Sequence, residues 1–274
     1  MKNVIVRKGA GFSLVLLLMA IGEGEASVIF SDNFTSGPSP LWGNENGSWT
    51  SSGGVYYATA PNNSPNAYSS VPYSLRDFSV DFDINDVSDG GVFLRATPVP
   101  GSPLGVKGIL LNLKVPDGGS RLYWHIFYDG TNASPPLNVV YLDYGTTIHV
   151  HVEVAGDTYS AFINGSADPA IVLTTSAFST GRVALYDFSG QTFSNFVLEK
   201  PQPSLFIGMD ADAAVISWST DFPEYVLQTT SDLSLTSGWS SFAGPYASTG
   251  GSYQFRLPLL NILHKQFFRL SARY

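Results

Sequence analysis

Apolar and polar residues alternate one by one over most of this chain. Between 77 and 95, Phe78, Val80, Phe82 and Ile84 alternate with Ser79, Asp81, Asp83 and Asn85. A period of two puts one set on a core face and the other toward solvent, so a half-buried strand is predicted. An Asp/Gly-rich turn over 86–91 and a short strand over 92–95, ending in Arg95, should follow. The same period predicts strands over 28–34, 54–58, 108–115, 122–128, 138–142, 147–155, 158–163, 182–187 and 193–199. Asn164-Gly165 supplies a favoured hairpin dipeptide. No stretch carries a helical period over a normal helix length.

Pro201-Gln202-Pro203 interrupts this series, and two prolines two apart remove ladder donors and hold an extended backbone, as in a linker. Beyond it, short alternating strands over 213–218, 224–229, 239–242, 252–257 and 266–270 fit a small immunoglobulin- or fibronectin-like sandwich. The first 26 residues read differently. Lys2, Arg7 and Lys8 precede a short apolar run over 12–21, and Gly24-Glu25-Ala26 offers small residues at a cleavage point. That is the pattern of an export signal cut after Ala26. The apolar run is about half of the ~20 residues a membrane span needs, so no stable membrane insertion of the mature chain is expected. The expected organisation is thus a signal over 1–26, a large β domain over 27–200, a linker over 201–203 and a small sandwich over 204–274.

Composition narrows the setting. The chain has no cysteine, so an exported form cannot use disulfides and must rely on core burial. Exported and cysteine-free together point to a bacterial protein, secreted, periplasmic or at the cell surface. With 14 Lys and Arg against 22 Asp and Glu, the formal net charge is −8. An acidic chain without a basic cluster repels phosphate backbones, which argues against nucleic acid as a partner. Charged residues are scarce while Gly, Ser, Thr, Tyr and Phe abound, a surface suited to neutral ligands such as glycans.

Four pieces of 27–200 carry a resemblance. They are Asp32-Asn33-Phe34 with Trp49, then Asp77-Phe78 with Gly90-Gly91-Val92-Phe93-Leu94-Arg95. The third is Val152–Gly156 with Phe162-Ile163-Asn164-Gly165, and the last is Gly181–Leu185 leading to Phe193–Val197. In order and spacing they resemble the concanavalin A-like (laminin G-like) jelly roll. Within it they are most similar to the 3-keto-disaccharide hydrolase family and to sugar-binding modules of the same strand pattern. Tyr225–Leu233, Gly238-Trp239 and Phe267–Leu270 resemble a C-terminal module of secreted verrucomicrobial-type proteins. The resemblance implies an all-β fold, a two-sheet antiparallel jelly-roll sandwich followed by a small immunoglobulin/fibronectin-like one. The E-x-D-x-x-E strand of the retaining β-glucanases is missing, since Glu45, Glu153, Glu199 and Glu224 stand alone.

Candidate binding residues follow from strand faces. Arg95 shares the face of Phe93 by alternation, and a guanidinium suits bidentate contact with hydroxyls; the resemblance places an arginine here near the sugar site. Tyr123 and His125 lie opposite Leu122, Trp124 and Ile126, although the reverse facing would expose Trp124 instead. Asn112 lies opposite Leu111 and Leu113 and could add an amide to the same surface. His149, His151 and Glu153 share the polar face of 147–155, the densest cluster of proton- or metal-competent groups in the chain. Asp81 and Asp83, two apart on one strand face, read as solvated acids because nothing flanking them supplies the apolar wall that general-acid work needs. The resemblance also allows a structural calcium between the first and last strands, with Asp32 and Asn195 as ligands; no cofactor is otherwise required. The expectation is a secreted glycan-binding or surface-interaction protein without catalytic residues. The alternatives are a glycoside-processing enzyme centred on His149, His151, Glu153 and Arg95, or a structural envelope protein.

Overall fold

A computed structural model describes residues 4–6, 26–115, 120–143, 145–210, 212–220, 222–223, 225–232, 234, 238–242, 245–258 and 266–272. The expected export signal therefore lies outside the described residues apart from 4–6 and Ala26. The described chain is all-β, with antiparallel sheets and no helix. It divides into two compact units, Ser27–Lys200 and a second one comprising Pro201–Tyr274 with Met1–Ala26.

Two sheets build the larger unit. One runs in the order Ile171–Thr174, Thr158–Ile163, Ile148–Ala155, Phe78–Asn85, Thr192–Lys200, Val55–Ala58 and Trp49–Ser52, and Ser27–Asp32 also pairs with Thr192–Lys200. The other runs Leu137–Tyr141, Arg121–Phe127, Val106–Lys114, Asp89–Pro98, Arg182–Asp187 and Tyr68–Ser70. Their facing sides share one core, to which the first sheet gives Phe82, Val150, Tyr159 and Phe196 and the second Val92, Leu111, Trp124 and Leu185. Trp124 is fully buried there, which leaves Tyr123 and His125 on the opposite face, as period-two alternation requires. A smaller apolar cluster, including Phe93, Leu110, Phe127 and Tyr186, covers part of that opposite face.

The turn expected over 86–91 is shorter than its composition suggests. The strand begins at Asp89, and Gly90 and Gly91 lie within it. Gly91 faces the neighbouring strand so closely that a Cβ would collide with the Leu111 carbonyl oxygen. These glycines serve backbone approach inside a sheet rather than reversal of the chain. The strands on either side of residues 86–88 belong to different sheets, so this segment carries the chain across the sandwich.

Arg95 departs from its expected face. The ladder is irregular on both sides of it, between Leu94 and Thr97 and between Arg182 and Ala184. Its φ is +48°, so the residue sits in a bulge that breaks the alternation set by Phe93. Only 1% exposed, its side chain reaches across to the other sheet. Nε and Nη2 donate to Arg76 O at 3.0 and 2.6 Å, Nη2 to Gly156 O at 2.6 Å, and Nη1 to Phe178 O and Tyr159 Oη at 2.7 and 3.0 Å. Every N–H of the fork has an acceptor. Arg95 is a structural staple, not a ligand contact.

In the second unit, Val4–Val6, Gln266–Ala272, Tyr225–Thr230 and Ser240–Ser241 form one sheet. Phe206–Asp210, Ala213–Ser219, Ser252–Pro258 and Ala247–Thr249 form another. They share a core of Ala214, Ile216, Trp218, Leu227, Leu257 and Phe268. Val4–Val6 is thus hydrogen-bonded into this unit, paired with Gln266–Phe268, although 1–26 was expected to stand apart from the fold.

Candidate functional site

On the outer face of the six-stranded sheet, strand register assembles a polar cluster. Asn112 pairs across to Tyr123 on one side and Gly91 on the other, while Lys114 pairs with Asp89. Cross-strand partners share a face, so Asp89, Asn112, Lys114, Tyr123 and His125 converge. They line a cavity of about 270 Å³, closed by Asn63, Asn66, Leu104, Leu110, Phe127, Ala133, Tyr186 and Phe188. Leu104 comes from the connection between the Asp89–Pro98 and Val106–Lys114 strands. Of the seven expected ligand residues, Asn112, Tyr123 and His125 come together here.

Hydrogen bonding defines the chemistry of this cavity. The Asn112 Nδ2 donates to Asp89 Oδ1 at 2.9 Å and to the Tyr123 hydroxyl. A carboxylate only accepts, so the amide nitrogen must face Asp89 and the orientation is settled. Asn112 Oδ1 is then buried without a hydrogen-bond partner. Burial pushes the Tyr123 pKa up despite the Asn112 hydrogen bond, so Tyr123 keeps its O–H and can donate it. Lys114 Nζ donates to Asp89 Oδ2, which raises its pKa and balances the carboxylate. His125 Nδ1 lies 2.7 Å from Ser134 O; a carbonyl only accepts, so Nδ1 carries the proton and Nε2 is an acceptor in the neutral ring. Burial lowers the His125 pKa, partly opposed by that hydrogen bond. The cavity therefore offers both donors and acceptors over an apolar floor, with one carboxylate already paired.

This arrangement predicts a pH effect. His125 is lowered below 6.5 in the fold, so the unfolded chain binds more protons and stability falls as pH drops below about 6.5. The His125 resonance, followed by NMR against pH, should titrate below 6.5. A midpoint at or above that value would contradict the buried neutral ring.

His149, His151 and Glu153 lie elsewhere, on the outer face of the eight-stranded sheet, opposite Ile148, Val150, Val152 and Val154 in the core. Register brings His149 against Asp83 and His151 against Asp81. His149 Nδ1 is 2.9 Å from Asp83 Oδ1, and His151 Nδ1 is 2.8 Å from Asp81 Oδ1. His149 Nε2 also approaches Asp81 at 3.3 Å, and His151 Nε2 approaches Glu153 at 3.3 Å. Asp81 and Asp83 are thus partners of the histidines rather than free solvated acids. The hydrogen bond to Asp81 raises the His151 pKa, with desolvation opposing it. A raised histidine stabilises the fold below its unfolded value near 6.5 and loses that contribution as pH rises through the folded value. Asp81→Asn should return the His151 midpoint toward 6.5 in an NMR titration; an unchanged midpoint would show that Asp81 does not hold it.

Asp32 and Asn195, the expected calcium ligands, do not meet. Asp32 pairs with Phe196 and uses its carboxylate to close a turn, accepting from Phe34 N at 2.9 Å, Ser39 N at 2.7 Å and Trp42 Nε1 at 2.9 Å. Asn195, one residue earlier in a bulge, donates to Asp83 Oδ2 at 2.7 Å. Among the described residues no group of three or more His, Cys, Asp or Glu is placed to hold a metal ion. The seven expected ligand residues thus fall in three places, the cavity, the opposite outer face and the buried Arg95. Asp89 was missed because 86–91 reads as a turn, and with it the pairing to Lys114; alternation with Asn112 was the available signal for Lys114.

Fold and cavity together define an all-β protein of antiparallel sheets with a small polar pocket on one sheet face. No protein-family profile matches the chain, and neither does any curated protein sequence. Among solved structures it is similar to the carbohydrate binding module CBM66 from Bacillus subtilis, with 20% identity, a TM-score of 0.48, and coverage of 58% of this chain and 96% of that one. It is also similar to a protein of unknown function with a galectin-like fold from Bacillus subtilis, at 12% identity, TM-score 0.49, and 66% and 99% coverage. A third is the exoplasmic/lumenal domain of VIP36 in its Ca²⁺/Man3GlcNAc-bound form, at 13% identity, TM-score 0.45, and 62% and 88% coverage.

Proposed function

We propose that this chain is an exported, non-catalytic glycan-binding protein whose site is the cavity around Asn112, Tyr123 and His125. The carrying observation is the convergence of Asp89, Asn112, Lys114, Tyr123 and His125 on the wall of that one cavity. An amide, a phenol, an imidazole and an ion pair in one lining give ligand hydroxyls both donors and acceptors. The rest of the wall suits a neutral polyol. Tyr123 donates, His125 Nε2 accepts, the Asp89–Lys114 pair can do both, and Phe127, Tyr186 and Phe188 present apolar surface to sugar C–H groups.

A glycosidase uses two carboxyl groups around its scissile bond, whereas Asp89 is the one carboxylate in this lining. The enzyme alternative placed its centre on Arg95, His149, His151 and Glu153, of which the fold buries Arg95 away from the other three on their shared outer face. On this reading Ser27–Lys200 is a jelly-roll sandwich of the concanavalin A-like kind, the second unit an immunoglobulin-like spacer, and residues 1–26 an export signal. No cofactor is required. A glycan array probed with the purified protein tests the reading, with a parallel screen for turnover of oxidised and unoxidised disaccharides. Binding without turnover is expected; turnover, or an affinity unaltered by Asn112→Ala, would sink it.

A further inference from the structure

The pocket does not stand alone on its sheet face. Asp89, Lys114, Arg121 and Tyr141 are successive cross-strand partners across four neighbouring strands. Direct partners share a face, and neighbouring strands lie ~4.8 Å apart, so Tyr141 sits roughly 10 Å from Lys114 along this row. Val140, the residue before it, packs on the core, so alternation turns Tyr141 to the pocket side. The residue is 67% exposed, the most exposed large apolar one of those described. It is also held, because the Arg121 guanidinium lies over it, 5.6 Å from the centroid. Arg121 in turn shares its face with Tyr123, two residues on.

Resting on the glycan-binding reading, we propose that Tyr141 is a stacking platform for a second or third sugar ring of a neutral oligosaccharide whose first ring occupies the Asn112 pocket. A sugar ring has an apolar C–H face and a polar rim. A rigid, exposed aromatic ring beside a polar pocket meets both requirements, with the rim hydroxyls left to water and to the Arg121–Lys114 row. Arg121 covers part of the Tyr141 ring and orients it, so the remaining ring surface is the platform. The site then reads chain length as well as the identity of one sugar, and the bound glycan runs from the pocket toward the Leu137–Tyr141 edge strand.

Calorimetric titration of the full chain with gluco-, manno-, xylo- and fructo-oligosaccharides of one to four units tests this. For the series that binds, affinity should rise about tenfold between one and three units, as expected for burying one ring face. Tyr141→Ala should remove that rise and leave single-unit affinity unchanged, while Tyr141→Phe should keep it. An unaltered length dependence in Tyr141→Ala overturns the platform, and the pocket reading stands if Asn112→Ala still weakens binding of every length. If no series binds the unaltered chain, the pocket reading fails and takes the platform with it.

Discussion

Arg95→Met should lower the stability of the larger unit by about 3–5 kcal/mol, the range for breaking a buried, fully partnered charge. Methionine keeps much of the volume but none of the donors. Arg76 O, Gly156 O, Phe178 O and Tyr159 Oη would each lose the N–H they accept from Arg95, and Asp77 its cation 3.7 Å away. For a unit of this size each kcal/mol corresponds to about 2–4 °C in Tm, so calorimetry should show a drop of roughly 10 °C. Arg95→Lys should recover only part of this, because a compact ammonium has three donors and cannot span the acceptors of a planar fork. Glycan binding by whatever remains folded should be unchanged. A variant with native Tm and lost binding would instead return Arg95 to the site.

Asn112→Ala should have the opposite profile, with binding lost and the fold retained. The amide links Asp89 and Tyr123 at the cavity wall. Removing it releases both of these lining groups from their fixed positions, about 2–3 kcal/mol in binding, or roughly 30- to 150-fold in Kd. Stability should change little, because the truncation also removes a buried acceptor that had no donor in the ligand-free chain. Asn112→Asp is the sharper control. It places a second carboxylate against Asp89 and should cost stability as well as binding. Titration calorimetry beside thermal melts separates the two effects; an Asn112→Ala protein that binds glycan normally would remove the pocket from consideration.

Much of this was legible in the chain itself. The alternation of Phe78, Val80, Phe82 and Ile84 is local, because strand geometry alone sends successive side chains to opposite faces; all four are core residues. The same logic separated Trp124 from Tyr123 and His125. It failed at Arg95, where a bulge broke the period. A bulge depends on what the neighbouring strands present, here Gly181, whose Cβ would collide with the Arg95 backbone. It failed again at Asp89, since Gly90 and Gly91 are turn signals to a local reading and close-approach positions in the sheet. The partners of His149 and His151 were out of reach for a related reason. Asp83 and Asp81 lie 66 and 70 residues away and meet the histidines only through register.

Residue alternation by itself determined most of the longer strands and their core faces away from the Arg95 bulge, and composition gave the acidic, sparsely charged character of the chain, because those properties need only the backbone's period and the residue types. Which strands are neighbours, which polar faces meet and which buried atom lacks a partner were decided by the tertiary structure, because hydrogen-bond register joins residues that no local pattern connects. Asn112 shows the division most plainly. Its outward facing was a local property; its amide link to Asp89 and Tyr123 exists only once three strands are paired.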